Sequence, residues 1–170
     1  MSSVGKSVSP YGTWESSITA KSVASGNHVF ELKLHDGDVY FVEVRPLEEN
    51  ARYSIMKVRS SGGSSVEITP APFHARTTVH EYGGGGFLLA GETIIFSNFT
   101  DQRLYKKQVD SNEIPIPVTS AGTDSRYADG IFDETRKRII SVREHHPVTG
   151  KRDAVNSIVG ISLENNGAKE

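Results

Sequence analysis

The sequence contains no cysteine, one tryptophan and two methionines in 170 residues. Without cysteine there is no disulfide, no thiol nucleophile and no thiolate metal ligand, and nothing points to an oxidising compartment. Long apolar runs are missing too, since none approaches the ~18 residues that a membrane-spanning helix needs. The opening MSSVGKSVSP is polar and lacks the apolar core of a signal peptide. Ser2 stands where N-myristoylation requires glycine. Charge of one sign is scarce as well: a net charge of −2 gives no pull toward nucleic acid or an anionic membrane. Asn98–Thr100 spells a glycosylation sequon, expected to stay unmodified without a secretory signal. These absences describe a cytoplasmic protein with no cofactor, no metal, no nucleic-acid partner and no membrane partner.

What is present is strand after strand. HVFELKL (28–34), VYFVEV (39–44), RYSIMKV (52–58) and VEIT (66–69) alternate with turn residues. The Asp36–Gly37 pair between the first two is a hairpin signal, because both residues tolerate positive φ. GGFLLA (85–90), ETIIFSNF (92–99), RLYKKQV (103–109) and EIPIPVT (113–119) form a second set of four. A third set has YADGIF (127–132), RKRIISV (137–143) and NSIVGISL (156–163), with no fourth strand before residue 170. One short helix is expected in front, capped by Ser17 and closed by Gly26, with Trp14 anchoring this arm to the body.

The sets repeat. Thr69 and Arg76 recur as Thr119 and Arg126, 50 residues on, while Val58, Val109 and Ile161 recur at intervals of 51 and 52. Four strands per ~50 residues is a propeller-blade period. The fold class is therefore all-β: a partial β-propeller of two full four-stranded antiparallel blades plus an incomplete third. Residues 1–26 lead in, and residues 27–170 form the blades, at about 28–69, 76–119 and 126–163. A β-sandwich with evenly spaced hairpins is the alternative.

RTTVHEYGGGGFLLAG (76–91) is the stretch that looks most like chemistry. A zinc-peptidase helix needs His-Glu-x-x-His, but position 84 is glycine and four glycines would break the helix. A P-loop needs Lys and Ser or Thr after its last glycine, where this chain has Phe87 and Leu88. An oxyanion hole made by a glycine run needs a nucleophile, and Gly-x-Ser-x-Gly occurs nowhere. Close backbone packing of Gly83–Gly86 on an inner strand is what remains. Arg76, His80 and Glu81 lie just ahead of that strand and are expected to pair with one another across a channel; contact with a ligand is the other option. His145 and His146 are neighbours, so on a strand they point to opposite faces and cannot share a metal; a solvated loop is expected for them. No catalytic residue is assigned.

PYGTWESSITA (10–20), ITPAPFHARTTVHEYGGGGF (68–87), IIFSNFTDQRLYK (94–106) and RYADG (126–130) resemble the N-terminal β-propeller of the prolyl oligopeptidase (S9) serine peptidases. The resemblance is to the group that includes acylaminoacyl-peptidase-like and dipeptidyl-aminopeptidase-like enzymes, and it runs from about Pro10 to Leu163. Ser17 stands where that pattern has proline. The resemblance implies more blades and an α/β-hydrolase catalytic domain with a Ser-Asp-His triad, both absent from this sequence. It implies hydrolysis of peptide bonds near the N-terminus of short peptides, with the propeller filtering substrates by size. Arg76, His80, Glu81 and Tyr82 are then substrate-facing, at the channel or toward the catalytic domain. The chain reads as a truncated product, a split subunit or a deliberately cut piece. It is expected to be inactive alone and to self-associate through bare blade faces such as that of Ile139, Ile140 and Val142. A stand-alone β-rich binding module is the alternative.

Overall fold

The computed structural model describes residues 8, 10–13, 16, 18–24, 26, 28–48, 51–122, 124–147 and 153–163. They form three antiparallel sheets, each a sequential meander. The first holds β1 (His28–His35), β2 (Asp38–Arg45), β3 (Arg52–Val58) and β4 (Val66–Glu67). The second holds β5 (Phe87–Ala90), β6 (Thr93–Ser97), β7 (Leu104–Gln108) and β8 (Ile116–Pro117). The third has β9 (Ser125–Asp133), β10 (Arg138–His145) and β11 (Val155–Ser162). The only helix among the described residues is the five-residue α1 (Ala20–Ala24). No helix among them is long and apolar enough to cross a membrane.

The period-2 alternation of side chains explains how the sheets stack. On β6, Ile94 and Phe96 face the first sheet, and Ile95 between them faces the third. β5 divides in the same way, with Phe87 toward the first sheet and Leu88 toward the third. One core therefore joins Tyr40, Val42 and Ile55 to Phe87, Ile94 and Phe96. A second joins Leu88, Ile95 and Leu104 to Tyr127, Ile139 and Ile161. Burying a side chain such as Ile55 or Ile95 contributes about 1.5–3 kcal/mol. A sandwich has one core between two sheets; here the middle sheet is covered on both faces, as a propeller blade is.

The repeat seen in the sequence is a repeat of hydrogen bonds. Thr69 Oγ1 accepts the Ile55 amide at 2.8 Å, and the Ile68 amide donates back to the Ile55 carbonyl. Thr119 Oγ1 accepts the Leu104 amide at 3.0 Å, and the Val118 amide returns to the Leu104 carbonyl. The threonine hydroxyl thus extends the pairing beyond a fourth strand whose ladder is only two residues long. Pro115 and Pro117 supply no N–H, which is why β8 is shorter than the sequence pattern predicts.

Three expectations change. Thr19 caps α1, which begins only at Ala20: its hydroxyl accepts the Ser22 amide at 3.0 Å while Ser22 Oγ accepts the Thr19 amide at 2.9 Å. Ser17 and Trp14 lie outside the described residues. Ile139 is not on a bare face, because it is fully buried against the second sheet. Its neighbours Ile140 and Val142 point the other way, opposite Ile131 and Ile158. Finally, β1 and β9 are not regular. The β1–β2 register slips between Phe30 and Lys33, and the β9–β10 register slips opposite Asp129–Gly130. Each bulge holds an acid at positive φ, Glu31 and Asp129.

Candidate functional site

The two bulges aim at one place. Glu31 accepts the Gly86 amide at 2.9 Å, and Asp129 accepts the Gly85 amide at 2.7 Å. The first strands of all three sheets thus converge on the glycine run. A Cβ on Gly84 would sit 2.9 Å from Asp129 Oδ2 and 3.1 Å from Ala128 Cβ; one on Gly85 would sit 2.9 Å from Asp129 Oδ1. Close approach, as the sequence suggests, is the reason for glycine here. The Gly85 and Gly86 amides are held by the protein's own carboxylates, which is not the arrangement of an open oxyanion hole. Burial pushes the Glu31 carboxyl up, more than the Gly86 amide and the Lys33 charge pull it down.

Ahead of the glycines the chain makes a tight turn. The Glu81 amide donates to the Thr78 carbonyl and the Gly83 amide to the Val79 carbonyl, with His80 and Glu81 at positive φ. Val79 is buried and pins the turn from inside. Glu144 on β10 pins it from the third sheet: Oε2 accepts the His80 amide at 2.7 Å and lies 3.0 Å from His80 Nδ1. The side chain of Glu144 is only 4% exposed and also takes His146 Nε2 at 2.6 Å and Arg126 at 3.4 Å. Burial works to raise its carboxyl, but the bonds from His146 and the His80 amide prevail and hold it below the usual range. His146 therefore belongs to this cluster and His145 closes β10, so the pair is not a solvated loop.

A cleft of about 140 Å³ opens beside the turn, lined by Phe30, Glu31, Tyr53, Arg76, Tyr82 and Gly83–Gly84. The segment 74–76 bridges the first two sheets: the Ala75 amide donates to the Tyr53 carbonyl and the Arg76 amide to the Ser97 carbonyl. That path places Arg76 Cζ 5.1 Å from the ring centroids of both Tyr53 and Phe99. His74 lies 5.1 Å from the Tyr53 ring and 4.7 Å from that of Phe99. Its imidazole is pushed down to about 4, first by burial and then by the charges of Arg76 and Arg52.

Of the four residues expected to face substrate, the structure brings Arg76 and Tyr82 to one cleft. His80 is engaged by Glu144, and Glu81 is exposed on the turn. They do not pair with one another as expected: the partner of His80 is Glu144, 64 residues away. Sequence reasoning missed Glu31, Asp129 and Glu144. The Asp129–Gly130 dipeptide inside a strand pattern was a usable bulge signal; Glu31 and Glu144 sit in regular-looking strand sequence and carry none.

Two other constellations have simpler explanations. His35, Asp36 and Glu92 bring metal-type donor atoms within 4.8 Å of one another at the β1–β2 turn, with both acids exposed. An imidazole beside two solvated carboxylates accounts for that contact. Ser125 Oγ lies 3.3 Å from His145 Nδ1, but these residues are directly opposite in the β9–β10 ladder and Ser125 is buried.

No family model matches the chain, and no curated protein matches it. Solved structures do. A puromycin-hydrolysing peptidase from Mycobacterium tuberculosis is 32% identical, with a TM-score of 0.80 over 94% of this chain and 25% of that one. A puromycin hydrolase is 28% identical, with a TM-score of 0.79 over the same shares. A mutant of puromycin hydrolase complexed with PGG is likewise 28% identical at a TM-score of 0.79. The chain spans a quarter of the length of the structures it matches. Nearly all of it is thus similar to the N-terminal propeller part of S9 serine peptidases, the family its motifs resemble.

Proposed function

We propose that this chain is the N-terminal propeller segment of an S9-type serine peptidase, of the group with acylaminoacyl-peptidase-like and dipeptidyl-aminopeptidase-like members. In the whole enzyme it lines the passage by which short peptides reach an α/β-hydrolase catalytic domain, and it selects them by size. The observation that carries this reading is the match over 94% of the chain to peptidases that hydrolyse puromycin. The cleft of Arg76 and Tyr82, at the meeting point of the three sheets, supports the passage role.

The role assigned to the chain is to admit, orient and exclude; bond cleavage belongs to the catalytic domain. Treating the isolated chain with a fluorophosphonate should leave every serine unlabelled, because the sequence has no Gly-x-Ser-x-Gly elbow and Ser125, which lies beside His145, is buried within the β9–β10 ladder. Label on Ser125 would overturn that division of labour. The reading as a whole is tested on the DNA around the coding segment. The same frame, or a neighbouring one, should continue with further ~50-residue blades and a Gly-x-Ser-x-Gly segment. A frame with neither would make the chain a stand-alone binding module.

A further inference from the structure

Arg76 differs from five other buried or half-buried arginines of the fold. Arg45 is bonded to Glu43, Glu48 and Glu67, and Arg52 to Glu48, Glu67 and the Thr69 carbonyl. Arg103 donates twice to the Thr119 carbonyl, Arg126 to the Thr78 carbonyl, and Arg138 to Asp133. The Arg76 guanidinium meets no hydrogen-bond acceptor and no carboxylate among the described residues, although its backbone amide is satisfied. Two aromatic rings fix it instead, Tyr53 and Phe99. Attraction to a ring face uses the charge and leaves the planar fork of N–H donors unspent. The acid in the same cleft, Glu31, is already committed to the Gly86 amide. A positioned, partly desolvated cation with idle donors therefore borders a cleft of about 140 Å³. That is room for roughly four or five waters, so a small group fits and a long side chain does not.

We propose that Arg76 receives a carboxylate of the peptide substrate in a two-pronged contact, and that this selects substrates by where their negative charge lies. The inference deepens the passage role proposed above and rests on it. A carboxylate matches the guanidinium fork in geometry as well as charge, which a backbone carbonyl does only in part. Two sources supply this chemistry: the free C-terminus of a short peptide and an acidic side chain within it. Selection by C-terminus would measure peptide length from that end, which is a physical means of size selection. Phe30, Tyr53, Tyr82 and the Gly83–Gly84 backbone form further parts of the cleft wall.

The test is a titration of the ¹⁵N-labelled 170-residue chain with Ala-Ala-Ala, with its C-terminal amide, and with N-acetyl-Ala-Glu-Ala amide. Ala-Ala-Ala or the glutamyl peptide should shift the Gly83 and Gly84 amides and the Arg76 Nε–H. Whichever of the two binds identifies the source of the carboxylate. Ala-Ala-Ala amide should bind at least tenfold more weakly, the value of one charge-assisted hydrogen bond. Arg76→Lys keeps the charge but not the fork and should lose about tenfold; Arg76→Gln should erase the difference between acid and amide. A merely structural arginine would not move that difference. Equal binding of acid and amide would overturn the carboxylate role while leaving a peptide-lining passage intact. So would a preference for acid that survives Arg76→Gln. Binding of none of the three peptides overturns it as well, whereas the passage role itself is judged by the gene context.

Discussion

Protonating His74 in the folded chain would place a third cation beside Arg76 and Arg52, inside a box of Tyr53 and Phe99. The unfolded chain has no such penalty and takes up the proton near pH 6.5, whereas the folded chain resists until about pH 4. Between those values the unfolded state binds more protons, so stability falls as pH falls; the contribution is intact above pH 6.5 and gone below about pH 4. The shift amounts to about 3 kcal/mol. Denaturant titrations at pH 7, 5.5 and 4.5 should show this slope in the native chain, and His74→Gln should flatten it. An unchanged slope in the variant would assign it to other groups. Glycine is tested at the same scale. Gly85→Ala drives a methyl against the Asp129 carboxylate that Gly85 itself anchors, and should cost about 1–3 kcal/mol. Gly26→Ala meets nothing within 4 Å and has no positive φ, so its Tm should hold or rise. Equal effects at the two positions would mean that the convergence on Asp129 is loose.

Hairpins were legible in the sequence because two signals agree at each: period-2 apolar residues in the strands, and residues such as Asp36–Gly37 in the turns. The threonine pair was visible as a spacing, and its meaning as a strand extension needed the hydrogen bonds. The bulges at Glu31 and Asp129 were not read, because one added residue alters register without altering composition. The turn at 79–83 is the element least legible of all. Its sequence offers a histidine, a glutamate and a tyrosine that look alike as candidates, yet its position is set by Glu144 on another sheet. Long-range pairing of that kind leaves no local trace. It makes a definite prediction for the element. Glu144→Gln removes the charge shared by the His80 amide, His146 and Arg126, and should cost about 1–3 kcal/mol. Amide exchange at His80 and Glu81 should accelerate more than exchange across the β10–β11 ladder. The Glu144 carboxyl is held low in the fold, so this clamp is present above its unfolded value of 4.5 and lost as pH falls further. Uniform acceleration of all three strands would show instead that Glu144 supports the third sheet and not the turn.

Three stacked sheets leave two outer faces, and they differ in degree: β1 of the first sheet exposes Val29, Leu32 and Leu34, but its neighbouring strands carry the denser ion-pair network. The outer face of the first sheet carries Glu43, Arg45, Arg52 and Glu67 in one ion-pair network, with Met56 beside it. Charges held in that way tolerate water. The outer face of the third sheet presents Ile131 at 65% exposure and Ile158 at 71%, with Ile140 and Val142 half-buried between them. Opposed aliphatic side chains on three adjacent strands make a contiguous apolar patch of the kind that attracts a partner. In a closed propeller the neighbouring blade covers such a face; in three blades nothing closes the ring. The isolated 170-residue chain should therefore self-associate, and through this face in preference to the first. Sedimentation velocity at micromolar concentration should show species larger than the monomer. Replacing Ile131 and Ile158 by lysine should shift the population toward monomer without lowering Tm, since neither side chain is in the core. Lysines placed at Val29 and Leu34, exposed on the first sheet, should change the association much less. A native chain that sediments as a monomer, or association indifferent to the isoleucine pair, would show that the third sheet's outer face is not where this molecule meets its next blade.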